Sequence, residues 1–120
     1  MKVAVTAQGR ELDSSMDLRF GRAKFLIVTD TDTGRIETHD NAVNLNAAQG
    51  AGIQTGQNIA NLDVDAVITG NVGPNAFRTL NAAKIKVFLT EEQTVQEAIV
   101  LFKTGKLEQV NGASVEGHWI

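Results

Sequence analysis

Val64-Asp65-Ala66-Val67-Ile68-Thr69-Gly70-Asn71-Val72-Gly73-Pro74-Asn75-Ala76 carries the chain from strand chemistry into helix chemistry, and this transition decides the class of fold. Val64 to Thr69 is a short run rich in β-branched and small residues, the composition of a strand, and Gly70 to Pro74 breaks it. Pro74 suits the first position of a helix, where a missing N–H costs nothing, and Phe77 and Leu80 then follow three apart on one helical face.

Upstream, Lys2 to Thr6 and Lys24 to Thr29 read as strands, and Asp30-Thr31-Asp32-Thr33-Gly34 supplies the turn into a third strand near Arg35 to His39. Ala48, Gly52, Thr55, Ile59 and Leu62 then recur at steps of three and four, the stripe of a helix. Downstream, Lys84 to Leu89 is a fifth strand, and Thr94-Val95-Gln96-Glu97 has the form of a capping box that opens a helix with Val95, Ala98, Ile99 and Phe102 on its apolar face. Gly105 stops that helix, and the tail from Lys106 has no clear period and reads as a mobile end. The expected architecture is α/β with three layers: a mixed five-stranded sheet with an early antiparallel hairpin, in one domain over residues 1–120. In such sheets ligands sit outside the carboxyl ends of the parallel strands, which points to the loops Ala7 to Phe20, Asp40 to Gly50 and Gly70 to Pro74.

Composition narrows the function. With 42% hydrophobic residues over 120 positions the chain can sustain a core, and the absence of cysteine removes disulfides, thiolate-held metal sites and a cysteine nucleophile. A net charge of −3 provides no general field for nucleic acid. Asn41 to Leu62 is uncharged but carries Asn41, Asn44, Asn46, Gln49, Gln54, Gln57, Asn58 and Asn61, too many amides for a membrane span. The start has too short an apolar stretch for a secretory signal, so a cytoplasmic protein is expected.

Several motifs admit both a structural and a ligand-binding reading. Gly50-x-Gly52-x-x-x-Gly56 has the wrong spacing and context for a dinucleotide fingerprint; its glycines serve either close helix-to-sheet packing or backbone approach to a ligand. The turn Gly70 to Ala76 offers N–H groups and the Asn71 and Asn75 side chains to an anion, or is an ordinary strand-to-helix turn with Gly73 inside it; neither a Walker lysine nor its Ser/Thr follows. In Asp17-Leu18-Arg19-Phe20-Gly21-Arg22 the two guanidiniums either bracket an oxyanion or sulfide-rich ligand or pair with Asp13 or Asp17. His39 and His118 each lack the company a zinc site needs, which leaves His39 a weak metal candidate; Trp119 and Met16 read as packing residues.

Taken in order, Ser14 to Ala23, the Asn41 region, Gly50-Ala51-Gly52 and Val67 to Ala76 resemble the dinitrogenase iron-molybdenum cofactor biosynthesis family over nearly the whole chain. The resemblance implies a ribonuclease-H-like topology and a non-enzymatic carrier of a molybdenum- or iron-containing sulfide cluster. Within the family the chain looks most like the type whose implied cargo is a molybdenum-copper sulfide cluster held without covalent bonds. An iron-molybdenum cofactor precursor is the alternative cargo. Another reading is a regulatory or assembly module that acts through a protein recipient or a MinD-type ATPase. The cluster-binding residues that follow are Arg19, Phe20, Gly21, Arg22, His39, Asn41, Gly50, Gly52, Asn71, Gly73 and Asn75. Several relatives resemble Asp-x-His-Phe-Gly at the first loop, where this chain has Arg19 before Phe20-Gly21; a guanidinium stays protonated and cannot ligate iron, yet it complements an anionic cluster. Nuclease chemistry, which the topology also suggests, lacks its carboxylates: Lys2 to Ala7, Asn41 to Leu62 and Ala66 to Leu80 contain essentially none.

Overall fold

The structure, a computed structural model, describes residues 1–41 and 50–112. Its strands are β1 (Lys2–Ala7), β2 (Phe25–Asp30), β3 (Ile36–Asp40), β4 (Ala66–Thr69), β5 (Lys86–Leu89) and β6 (Glu108–Val110), and its helices are α1 (Ala51–Asn61), α2 (Pro74–Ala82) and α3 (Val95–Lys103). A three-residue 3-10 turn, Phe20–Arg22, precedes β2. One sheet runs β3-β2-β1-β4-β5-β6. β1, β4 and β5 are mutually parallel, while β2 lies antiparallel to β1, β3 to β2, and β6 to β5. The first five strands thus have the ribonuclease-H-like arrangement with its antiparallel hairpin.

Among the described residues the sheet has six strands, one more than the sequence pattern indicates. β6 pairs Val110 with Val87, Gln109 with Phe88 and Glu108 with Leu89 along the edge of β5. Leu107 packs partly buried against one core and Val110 against the other, so the tail from Lys106 is tied to the sheet as far as Val110. Three residues are too few to display a period of two, which is why the strand is invisible without its partner. His118 and Trp119 lie outside the described residues.

Period-two alternation divides the buried side chains between two cores. Ala4, Leu26, Val28, Val67 and Val87 face α1 and α2, whose Ile59, Ala76 and Leu80 close the first core. Val3, Val5, Ala7, Ile27 and Ile68 face α3, which contributes Val95, Ala98 and Ile99. The α3 layer is completed by an edge-to-face contact between Phe88 and Phe102, centroids 5.0 Å apart. Two helices on one face and one on the other mean that β4 and β5 send their connections to opposite sides, which opens a crevice at their carboxyl ends.

Candidate functional site

The loop after β1 crosses that end of the sheet from the α3 side to the α1 side. Met16, fully buried in the α3-side core, donates its N–H to Gln93 O at 2.9 Å, and Val95 N reaches Ser14 O at 2.9 Å. Asp17 N donates to Thr6 O at 2.9 Å, and the Thr6 hydroxyl, 2.8 Å from that of Thr69, donates to Asp17 O at 2.7 Å. Asn71 N then donates to Leu18 O at 2.7 Å, and Phe20 N to Asn71 O at 3.2 Å. A loop stitched in this way to the start of α3, to β1 and to the turn after β4 holds Arg19 directly beside Asn71.

Two glycines permit the approach. A Cβ on Gly70 would stand 2.6 Å from Leu18 Cβ, and one on Gly21 would stand 2.7 Å from Gly52 N. The 3-10 turn is therefore seated on the first turn of α1, with Phe20 fully buried in the α1–α2 core. Gly21 lets the loop lie against the backbone of Gly52, while Gly56 makes room for Thr79 of α2. These glycines bring helix to loop and helix to helix rather than helix to sheet. Gly50, exposed with φ of 97°, turns the chain into α1 through a conformation glycine adopts without strain.

Asn41 is fully buried and fully engaged. Its Nδ2 donates to Ala23 O at 2.8 Å and to Thr55 Oγ1 at 3.0 Å, and its Oδ1 accepts from Asn58 Nδ2 at 2.8 Å. It ties the end of β3 to the 3-10 turn and to α1, so it shapes the site from beneath and offers no side-chain donor to a ligand. Thr55 and Asn58, which the sequence shows only as a stripe residue and as one of many amides, are its partners; the visible signal is a threonine within an otherwise apolar helical stripe.

Asp17, with a side chain 6% exposed, accepts from Arg19 N at 3.0 Å and stands 3.7 Å from Arg19 Nε. It is both the organiser of the turn and an ion-pair partner for Arg19, whose side chain remains 63% exposed. Arg22 is exposed and has no carboxylate within reach among the described residues. The ion-pair reading thus holds for Arg19, which is paired at its inner edge with Asp17, while Arg22 faces solvent.

The helix starts around these cations are electrostatically alike. α1 begins at Gly50 and α2 at Gly73, in each case without a side-chain cap and without an acid in the first turn. α3 is capped, with Thr94 Oγ1 accepting from Glu97 N and Glu97 Oε1 accepting from Thr94 N. The hydrogen bonds that Glu97 Oε1 accepts from Thr94 N at 2.9 Å and from the Thr94 hydroxyl at 3.0 Å hold the Glu97 carboxyl below the usual glutamate range. The uncapped starts retain N–H groups and the positive end of the macrodipole for an anion. Buried Gly73 and exposed Asn75 belong to the α2 start, although Asn75 Oδ1 already accepts from Arg78 at 3.0 Å.

His39 projects from edge strand β3 to the α1 side, opposite Leu26. β3 is three strands from β4, about 14 Å across the sheet at the usual strand spacing. No group of three His, Asp or Glu placed to hold a metal ion occurs among the described residues. The middle of the Asn41 to Gly50 connection, including Asn44, Asn46 and Gln49, lies outside them. None of the described helices is long and apolar enough to cross a membrane.

The fold and this end of the sheet define the class. A family model for the dinitrogenase iron-molybdenum cofactor matches residues 1–105, and the chain belongs to that family. Among solved structures it is similar to the apo form of the orange protein from Desulfovibrio gigas, with 39% identity, a TM-score of 0.91 and coverage of 95% of this chain and 96% of that one. A candidate NifB protein from Thermotoga shows 40% identity and a TM-score of 0.83 over 97% and 98% of the two chains. An uncharacterised protein from Methanocaldococcus jannaschii is 30% identical over 111 residues, 91% of each chain. Family and neighbours point to a cluster-binding or carrier role connected with a molybdenum-containing cluster.

Proposed function

We propose that this chain is a non-enzymatic carrier that holds a preformed, anionic molybdenum-copper sulfide cluster without covalent bonds, at the end of the sheet where Arg19, Arg22 and the starts of α1 and α2 converge. The observation that carries the reading is the charge partition at that end. On the α1–α2 side stand Arg19, with buried Asp17 at its inner edge, Arg22 and two uncapped helix starts without a first-turn acid, whereas Asp13, Glu91, Glu92 and Glu97 outnumber Lys106 on the α3 side. A polyanionic sulfide cluster is attracted by the first arrangement and repelled by the second. A chain with no cysteine has no thiolate to exchange into the cluster, so cationic and N–H donors must do the holding.

Within this site Arg19, Arg22, Gly50, Asn71, Gly73 and Asn75 face the cargo, while Phe20, Gly21, Asn41 and Gly52 fix the geometry. The molybdenum-copper composition is what the resemblance of the sequence implies, and an iron-molybdenum precursor is the alternative cargo. The test is reconstitution of the purified chain with tetrathiomolybdate and copper, followed by visible absorption and metal analysis after gel filtration. Co-elution of a chromophore with molybdenum and copper supports the reading. A colourless, metal-free protein peak refutes it and leaves a role exercised through a protein partner.

A further inference from the structure

Val100 stands on the outer face of α3, one turn from Gln96 and Glu97 on one side and from Lys103 on the other, all of them exposed. It is 51% exposed, the most exposed large hydrophobic side chain among the described residues. A β-branched residue in the solvent stripe of a helix gives up helix propensity and leaves apolar surface in water, so α3 by itself has no use for it. Two open grooves meet beside it at Gln93 and Leu101: one runs past Gln96 to Asp13, and the other runs past Leu107 to the loop between β5 and α3. Val100 with half-buried Leu101 and Leu107 makes their apolar floor. Asp13, Glu97, Glu91, Glu92 and Glu108 make the rim, against Lys106 in the lining and Lys103 further along α3. No ion pair among the described residues engages these five carboxylates.

We propose that this double groove is a docking surface for a partner protein, and that its occupant is a basic segment with one apolar side. An apolar floor within a rim of one charge selects its occupant twice: aliphatic side chains cover Val100 and Leu101, while lysines and arginines along the flanks reach the carboxylates. The same carboxylates repel nucleic acid and anionic lipid, which leaves protein as the macromolecule whose chemistry fits. The groove also communicates with the proposed cargo end. Gln93, which lines both grooves, accepts from Met16 N at 2.9 Å, and the loop bearing Met16 carries Arg19 three residues later. A partner seated here stands on the α3 face of the sheet, opposite the starts of α1 and α2, so docking and cargo binding use different faces. The inference concerns the cluster-free chain and holds whatever the cargo is.

The probe is a helical peptide of leucine and lysine with its leucines on one face, titrated into the full, cluster-free chain and followed by amide chemical shifts. Shifts should centre on Gln93, Gln96, Val100, Leu101 and Leu107. A peptide with glutamate in place of lysine should not bind, and one with serine in place of leucine should bind about tenfold more weakly. Val100→Gln should weaken the leucine-lysine peptide about fivefold, and Glu91→Gln with Glu92→Gln about five- to tenfold with a flatter salt dependence, each with the circular dichroism of the parent. Absence of binding overturns the proposal, as do shifts centred on another acidic surface such as Asp30 and Asp32, equal binding of the glutamate peptide, or variants that bind like the parent. Trp119 is the chain's single tryptophan. A change in its emission on Val100→Gln without peptide would assign the groove to the chain's own last residues and overturn the proposal. Self-association of the parent that Val100→Gln abolishes, read by sedimentation equilibrium, would assign it to a second copy and overturn it as well.

Discussion

Gly70→Ala tests the link between packing and site most directly, because one added methyl must separate two segments that the site needs joined. The new Cβ would lie 2.6 Å from Leu18 Cβ and 2.7 Å from Leu18 Cα, where carbon atoms at rest stand about 3.5 to 4.0 Å apart. Backbone is involved, so the loop must move by about 1 Å. The Asn71 N to Leu18 O bond, at 2.7 Å, and the Phe20 N to Asn71 O bond, at 3.2 Å, then lengthen beyond useful range. Two such bonds at about 1 kcal/mol each, together with about 1 to 2 kcal/mol of overpacking around buried Phe20, give a destabilisation of about 3 to 4 kcal/mol. Urea titration should show this as a lower midpoint with an unchanged slope. Because Arg19 moves with the loop, cluster retention should fall at least about tenfold in parallel. Gly34→Ala is the control: the turn is exposed and remote, and it should leave retention as it was. If Gly70→Ala unfolds within about 0.5 kcal/mol of the parent and retains the cluster, the bridge does not hold the site together.

Three further outcomes follow from the same geometry. Arg19→Ala and Arg22→Ala, measured separately by cluster titration, should include at least one loss of about ten- to a hundredfold with the circular dichroism of the parent, whereas Lys103→Ala should change nothing; two neutral arginine variants would place the cargo elsewhere. Asn41→Asp should destabilise by about 2 to 4 kcal/mol in urea, since a buried carboxylate cannot donate to Ala23 O and can keep the Thr55 contact only with its direction reversed, while the bond from Asn58 survives; a midpoint equal to the parent's would remove Asn41 from its positioning role. Glu97, with its carboxyl held below the usual range by the α3 capping box, stabilises the folded state above the unfolded glutamate pKa, and the contribution is lost as pH falls through the lowered folded value. Glu97→Gln should therefore narrow its stability gap to the parent in acid, as read from urea midpoints across that window, and a gap that widens in acid would contradict the assignment.

What the sequence by itself determined is local. The hairpin, the three helices and five strands are legible because each carries its own period: alternation in β1, a three-and-four stripe in α1, the Thr94–Glu97 box at α3 and Pro74 at the start of α2. The Arg19 to Arg22 loop and the Asn71 turn are legible as donors, since guanidiniums, amides and an unbroken acid-free run can be read one residue at a time. Tertiary structure decided what depends on a distant partner. β6 exists only because β5 offers it an edge, and Phe20 reads equally as a ligand contact until the core closes over it. Asn41 has the chemistry of a ligand donor, and it becomes a brace once Ala23, Thr55 and Asn58 use all its side-chain donors and its oxygen. Gly21 and Gly52 lie far apart in the chain, so only packing shows that Gly21 is small because the backbone of Gly52 lies against it. Side-chain chemistry is a property of the residue, but whether a donor faces solvent or protein depends on contacts between segments, which no local pattern encodes.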